Sequence, residues 1–237
     1  EKNLGPYGTA GQLQQRPQPR GGGMFKEDYF NQRLKASPYE ALRIRYWDRA
    51  ATQDGGCYTA GTLMAMDKIG KFYVEDCVHG QWEPNKRNDM IVATANKDRS
   101  RYGPKFEPII YIEAERGSTG FESFQNIARR LAGFRVQEDN PSGSKDIRAE
   151  PWADQCAAKN VWIVDNGSSE GTGIAQWDVQ NYVDEHCLFR PQPGKRLGKY
   201  KDQVDSSSGA FNLLIKMKSE GKGIRVLGQR HKQHKDF

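Results

Sequence analysis

The sequence lacks closely spaced cysteine pairs, long apolar runs and a phosphate-binding loop. Its cysteines never form a CxxC pair, so a zinc site of the usual spacing is not expected, and we interpret all four as reduced thiols: Cys57, Cys77, Cys156 and Cys187. No apolar run approaches the roughly 20 residues that span a bilayer, so no membrane partner is expected. The motif GxxxxGK[ST] is missing, which excludes an ATPase site of that type.

Apolar residues are also scarce, because they make up only 36% of the 237 residues. Part of the chain is therefore expected to pack poorly. We predict a linker or N-terminal extension over residues 1–40, in which residues 24–30 could dock on the domain. A folded domain is predicted over residues 41–218, beginning near Leu42, and a basic tail over residues 219–237. Because the first residue is not Met, we expect a fragment of a longer protein.

Positive charge is in excess, with 36 Lys and Arg against 30 Asp and Glu. The net charge is +6 and the pI is about 9.1. A basic surface attracts polyanions, and nucleic acid is the commonest of them. Charge alone would also fit binding to ribosomes or to a membrane surface, so the function has to be argued from motifs.

The hydrophobic pattern predicts an α/β domain with a mixed central sheet and helices on both faces. Strands are predicted over residues 42–50, 58–67, 71–78, 108–113, 134–136 and 161–164, the first three as an antiparallel meander. Helices are predicted over residues 84–99, 121–132, 145–159, 176–187 and 203–218. The last helix is expected to face the core with Val204, Ser207, Phe211, Leu214 and Ile215.

Four carboxylates lie where apolar strands end or where the last helix begins: Asp48, Glu113, Asp202 and Asp205. Acidic side chains avoid such positions unless something offsets their desolvation. Divalent ions offset it, since hard cations take oxygen ligands and work on phosphates. Two-metal phosphodiester hydrolysis needs carboxylates from separate elements that meet at one point. In so basic a chain, the pattern indicates a metal-dependent cut in nucleic acid.

Simpler interpretations exist for each of these acids. Asp48 could pair with Arg45 or Arg49 at a strand edge. Glu113 could be a solvated residue at a strand end, as could its neighbour Glu115. The last helix could use its first acid only as an N-cap.

Several motifs together, in this order, resemble the C-terminal nuclease domain of the large terminase subunit of tailed bacteriophages. The resemblance covers about residues 4–217. Its parts are residues 4–25 as the segment joining the ATPase and nuclease domains, residues 46–52 with 58–61 as the first hairpin, Ile112-Glu113 with Gly117 and Gly120 as the second acidic motif, residues 145–149 as the basic motif, and residues 202–205 with 210–211 as the last acidic motif.

The resemblance implies a ribonuclease H-like fold and an endonuclease that uses two Mg²⁺ or Mn²⁺ ions. Such an enzyme cuts concatemeric viral DNA when packaging starts and ends. It implies Asp48, Glu113 and Asp202 as the catalytic metal ligands, with Asp205 as a further ligand. Many members carry an acid where this chain has Lys201, so the choice between the two aspartates of the last helix stays open.

The resemblance also implies partners and a location. From the residues themselves, we expect double-stranded DNA to be held by Lys145, Arg148, Arg116 and Lys201, since cations beside a Ser-Gly-rich loop suit phosphate contact, although Lys145 and Arg148 fit a solvated helix start equally well. An ATPase domain would precede the first residue, and the portal protein and small terminase subunit would assemble with the enzyme in the host bacterial cytoplasm. Two alternatives remain: a non-catalytic module that grips DNA or docks on the portal, and a resolvase of Holliday junctions or ribonuclease H-type nuclease of the same fold.

Overall fold

The computed structural model describes residues 23–49, 58–115, 118–165, 177–190 and 201–221. These residues build a seven-stranded sheet in the order β1-β7-β4-β3-β2-β5-β6. The strands are β1 (Arg33–Leu34), β2 (Leu42–Asp48), β3 (Thr59–Met66), β4 (Phe72–Gly80), β5 (Ile109–Glu113), β6 (Val136–Asp139) and β7 (Val161–Val164).

The centre of the sheet is the predicted antiparallel meander of β2, β3 and β4. Its second turn closes at Gly70, whose φ of 90° suits glycine because it has no Cβ. On its other edge β2 pairs in parallel with β5, in a register that runs from Ile44 opposite Ile109 to Trp47 opposite Ile112. The two strands therefore end side by side, at Asp48 and Glu113.

In the described ranges, five α-helices cover the two faces of the sheet, which confirms the predicted architecture, and a short 3-10 helix spans Glu27–Phe30. They are α1 (Pro84–Phe106), α2 (Ser118–Arg130), α3 (Lys145–Ala157), α4 (Val179–Leu188) and α5 (Asp202–Ser219). The larger core includes Tyr46 together with Trp152 of α3 and Phe211 of α5. A second core joins Trp47 to Ile91 of α1 and to α2. Successive side chains of β2 thus enter opposite cores, as the two-residue period of a strand requires.

The folded body begins earlier than the start near Leu42 that the sequence suggested. Phe25 and Phe30 are fully buried and pack against the ring of His186. Strand β1 then adds an edge to the sheet by pairing in parallel with β7. The expected docking of residues 24–30 is confirmed, and the core gains two aromatic side chains from a segment that resembles a linker in composition.

Several element boundaries differ from the prediction, including the start of α2 at Ser118 instead of residue 121, and three of the differences have local reasons. Helix α1 continues past Arg99 to Phe106, across a break at Gly103 (φ 67°). The break arises because Pro104 disfavours helical backbone at the residue before it. The short strand predicted over 134–136 instead begins at Val136, since the Phe134 amide closes the turn after α2. Helix α4 begins at Val179 rather than at residue 176.

The start of α4 is set by its cap, because the Asp178 carboxylate accepts from the Asn181 amide at 2.9 Å. In α5 the predicted inward face is confirmed except at Ile215, which is 41% exposed. In the described parts of the chain, no helix combines the length and apolar character required to cross a membrane.

Buried charge fixes the orientation of β2. The Arg45 guanidinium bonds both oxygens of Asp98 on α1, at 2.7 and 2.9 Å, and one oxygen of Asp76 on β4, at 2.7 Å. The Arg45 side chain therefore lies on the face of β2 opposite the one that carries Asp48. The alternative that Arg45 neutralises Asp48 is wrong.

Candidate metal centre

Three carboxylates from two distant parts of the chain meet at the end of the central strand. Asp48 lies at the last position of β2, and Asp202 and Asp205 lie in the first turn of α5. Each offers an oxygen, and these oxygens all lie within 4.8 Å of one another. All three residues are buried. The cluster combines two of the three predicted catalytic acids with the predicted further ligand.

Asp202 is not the N-cap of α5, which corrects the simpler interpretation of that residue. Lys201 occupies the cap position, and Asp202 is already helical. The Asp202 carboxylate instead accepts a hydrogen bond of 3.0 Å from the Tyr58 amide, just before β3. Because Asp205 lies one turn later on the same helix, both aspartates reach the cluster together. The geometry therefore does not require a choice between them.

The cluster is electrostatically costly. Burial raises the pKa of Asp205 to about 8, and the charge of Asp48 adds to that effect while Lys145 opposes it. Burial likewise raises the pKa of Asp48 to about 6, again opposed by Lys145. The described residues give neither oxygen of Asp205 a well-oriented hydrogen bond, although Lys145 is ion-paired with Oδ2. Three crowded carboxylates with unused acceptor oxygens fit the donor set that a divalent cation such as Mg²⁺ prefers.

Lys145 lies against this cluster as an ion-pair partner. Its Nζ is 2.5 Å from Asp205 Oδ2 and 3.0 Å from Asp48 Oδ2. Burial alone would lower the pKa of Lys145, but the two carboxylates outweigh it and raise the pKa, so the ammonium stays charged. Lys145 begins α3, and its side chain remains 32% exposed. The sequence predicts that Lys145 contacts DNA, and in the structure its ammonium is ion-paired with Asp48 and Asp205.

Glu113 lies beside the cluster in a network of its own. Its Oε2 accepts a hydrogen bond of 3.1 Å from the Tyr46 hydroxyl, and its Oε1 is 3.3 Å from Arg148 Nη2. The same hydroxyl lies 2.9 Å from Asp139 Oδ2. Glu113 is thus adjacent to Asp48 but paired with a cation, and its role as a metal ligand stays a prediction.

Tyr46 and Asp139 are site residues that the sequence did not single out. Asp139 ends β6 directly opposite Glu113 of β5, at Cα register. An acid at a strand end could have indicated Asp139 as a site residue. Because the strand was predicted over 134–136 and not over Val136–Asp139, the prediction placed Asp139 in a loop. Tyr46 has the pattern of a core aromatic, and only the contacts of its hydroxyl with Glu113 and Asp139 reveal a role in the site. Helix α5 packs closely on the Tyr46 ring, because a Cβ on Gly209 would lie 2.4 Å from it.

The other predicted DNA contacts receive different placements. Arg148 is engaged by Glu113, with its side chain 10% exposed. Lys201 is partly exposed at the start of α5. Arg116 lies outside the described residues.

Glu115, the predicted alternative to Glu113, points away from the cluster toward Arg49, whose Nη2 is 3.2 Å from the Glu115 Oε1. That pairing separates Glu115 from the predicted metal ligands and gives Arg49 a partner other than Asp48.

Solved structures of large terminases share this fold at low sequence identity. The large terminase of one thermophilic bacteriophage superposes with a TM-score of 0.55 at 13% identity, over 81% of this chain and 44% of that protein. The large terminase nuclease of thermophilic phage G20c, crystallised with bound cobalt, gives 0.52 at 14% identity, over 82% and 98%. The human cytomegalovirus terminase nuclease domain, soaked with Mn, gives 0.52 at 11% identity, over 76% and 87%.

No protein-family model and no curated protein matches the chain. The structural likeness confirms the ribonuclease H-like fold that the sequence motifs implied, as found in terminase nuclease domains. The chain spans 44% of the first of these terminases and nearly the whole of the G20c nuclease. At these identities the likeness establishes the fold alone.

Proposed function

We propose that this chain is a metal-dependent DNA endonuclease domain of a viral large terminase subunit. The observation that carries the proposal is the meeting of Asp48, Asp202 and Asp205 within 4.8 Å at the end of the central strand. Buried like charges destabilise a fold. Lys145 supplies one positive charge against three carboxylates, so the site suits a divalent cation as well. Two of the structures with this fold carry cobalt or were soaked with Mn.

The proposed chemistry is hydrolysis of a phosphodiester with two Mg²⁺ or Mn²⁺ ions. The three aspartates would hold the ions, and Glu113 would complete the ligand set from the adjacent strand end. When bound, the ions supply acidification of the attacking water and neutralisation of charge on the phosphate and leaving oxygen. Tyr46 holds the Glu113 carboxylate in place through its hydroxyl.

DNA would enter over the face on which α3 and α5 begin. Lys145, Arg148, Lys201 and Arg116 would neutralise its phosphates, and such contacts carry little sequence information. We therefore propose weak sequence preference. The cuts would fall in concatemeric DNA at the start and end of packaging, in the host cytoplasm. An ATPase domain, the portal protein and the small terminase subunit would be the partners.

The test is plasmid nicking by wild type and Asp48→Asn with Mn²⁺, Mg²⁺ or EDTA. We expect cutting only with metal, reduced by at least about 100-fold in the variant, because a ligand from the central strand is lost. Asp154→Asn, an exposed change on the outer side of α3, is the matched control and should cut normally. Cutting that survives Asp48→Asn would place the active site elsewhere.

Comparing linear duplex, a four-way junction and an RNA–DNA hybrid as substrates separates the terminase from the resolvase and ribonuclease H alternatives. A preference for the junction or the hybrid would contradict the terminase assignment. A wild-type protein that binds duplex DNA but never cuts it would favour the non-catalytic module.

A further inference from the structure

We propose that Lys145 is a built-in competitor of the divalent metal, whose ammonium occupies the aspartate cluster until an ion displaces it. This inference rests on the proposed function, because it describes how the same site is controlled. It concerns an equilibrium between two cations for one set of oxygens, so binding measurements test it without any cleavage assay.

The Lys145 ammonium and a divalent ion need the same carboxylate oxygens. Lys145 Nζ lies between Asp48 and Asp205, at 3.0 Å and 2.5 Å from their Oδ2 atoms. A hard ion such as Mg²⁺ binds carboxylate oxygens at about 2.0–2.1 Å. A divalent cation held by these carboxylates would compete with the ammonium for their oxygens, and its charge would repel the ammonium.

The Lys145 ammonium stabilises the aspartate cluster in place of a metal ion. Both carboxylates are buried, and of the two only Asp48 accepts a hydrogen bond from Lys145 with good geometry. Removing a cation from such a pair without replacement is strongly destabilising. Lys145 therefore supports the folded site while it reduces the net attraction of that site for divalent ions.

The Lys145 side chain can leave the cluster toward solvent. Its side chain is 32% exposed, whereas that of Asp205 is 1% exposed, so part of the lysine side chain already reaches solvent. The flexible four-carbon stem of lysine allows the ammonium to swing into solvent with α3 in place. Once displaced, it would lie next to the metals, where a DNA phosphate would arrive. One side chain would then neutralise the acids first and the substrate afterwards.

Arg148, the other cation at the start of α3, does not share this role. Its guanidinium is paired with Glu113, so within the described residues Lys145 alone ion-pairs with the three-aspartate cluster. The two cations therefore make different predictions for metal binding.

The experiment is calorimetric titration of Mn²⁺ into the whole chain, wild type against Lys145→Met. We expect the variant to bind Mn²⁺ at least about tenfold more tightly, because the ion no longer has to displace an ammonium. Lys68→Met is the matched control, since Lys68 forms an exposed ion pair with Glu40 far from the site, and it should leave the affinity unchanged.

Equal or weaker Mn²⁺ binding by Lys145→Met would overturn the proposal while leaving a metal site, and so the proposed function, intact. Absence of Mn²⁺ binding in both proteins would overturn the proposed function and this inference with it.

A second measurement uses only wild type, in case the variant does not fold. Brief acetylation of lysine amines, followed by peptide mass spectrometry, reports how free each ammonium is. Labelling of Lys145 should rise several-fold when Mn²⁺ is added, while labelling of Lys68 stays constant. Labelling of Lys145 that is unchanged or reduced by Mn²⁺ would contradict displacement.

Discussion

Replacing Asp205 with asparagine removes one charge from the aspartate cluster while keeping the shape of the side chain. Breaking an ordinary buried ion pair costs about 3–5 kcal/mol, and Asp205 pairs with Lys145 at 2.5 Å. A large loss of stability would be the usual expectation. The crowding of the cluster changes that expectation.

The magnitude follows from the distances. At an effective dielectric constant near 20, Asp205 in its ionised form attracts the ammonium 2.5 Å away by about 7 kcal/mol. On the same scale it repels each of two carboxylates, within 4.8 Å, by at least about 3 kcal/mol. These terms nearly cancel, and the variant also avoids burying a charge. Asp205→Asn should therefore unfold within about 1 kcal/mol of wild type in EDTA.

Adding Mn²⁺ should make the stabilities of wild type and Asp205→Asn differ. At a free Mn²⁺ concentration about 100-fold above its Kd, binding stabilises wild type by about 2.7 kcal/mol. If loss of one carboxylate weakens binding about 100-fold, the variant gains only about 0.4 kcal/mol. The difference of about 2 kcal/mol corresponds to a Tm lower by about 4–8 °C for a domain of this size.

The assay is thermal and urea unfolding of wild type, Asp205→Asn and the control Asp154→Asn, each in EDTA and in Mn²⁺. The control should follow wild type under both conditions. The charge argument fails if Asp205→Asn loses more than about 3 kcal/mol in EDTA. It fails equally if Mn²⁺ stabilises that variant as much as wild type.

Three further outcomes follow from other contacts. Tyr46→Phe removes the hydroxyl that bonds Glu113 and Asp139, and we expect about 1 kcal/mol lower stability by urea unfolding and slower nicking. Gly209→Ala should cost about 1–3 kcal/mol by the same assay, because its Cβ would overlap the Tyr46 ring; unchanged stability would refute that close approach. Burial lowers the pKa of His186 to about 3, below its unfolded value of about 6.5. Protons then bind the unfolded chain preferentially, so His186 should lower stability by up to about 1.4 kcal/mol per unit as pH drops below about 6.5. His186→Gln should remove that contribution and leave the similar one of His79, whose pKa burial lowers to about 4.

Much of this fold could be predicted from local pattern. The apolar runs that became β2 and β5 end in acids, and ribonuclease H-like topology then brings those ends together. What local pattern could not supply was the N-terminal edge of the sheet. Phe25 and Phe30 follow a stretch of low apolar content, and they pack against the ring of His186, which is far away in the chain. Contacts of that range leave no periodic signal in sequence.

The site shows a similar division. The positions of Asp48, Asp202 and Asp205 were predictable, because charge at a strand end or helix start is unusual enough to stand out. The partners of Lys145 and Glu113 were not. A cation near an acidic site fits equally well against phosphate or against carboxylate, and only distances decide between them.

Both cations of the site come from one turn of one helix, and this arrangement limits how far the protein has to move. Lys145 and Arg148 are three residues apart at the start of α3, so they project from the same face. That helix is held on α5 by a hydrogen bond of 3.1 Å from Asn212 Nδ2 to the Arg148 carbonyl, and by Trp152, whose ring lies 5.7 Å from that of Phe211. Because the packing of α3 is independent of its two cationic side chains, exchange of an ammonium for a metal ion requires rotation of a side chain and no movement of the helix.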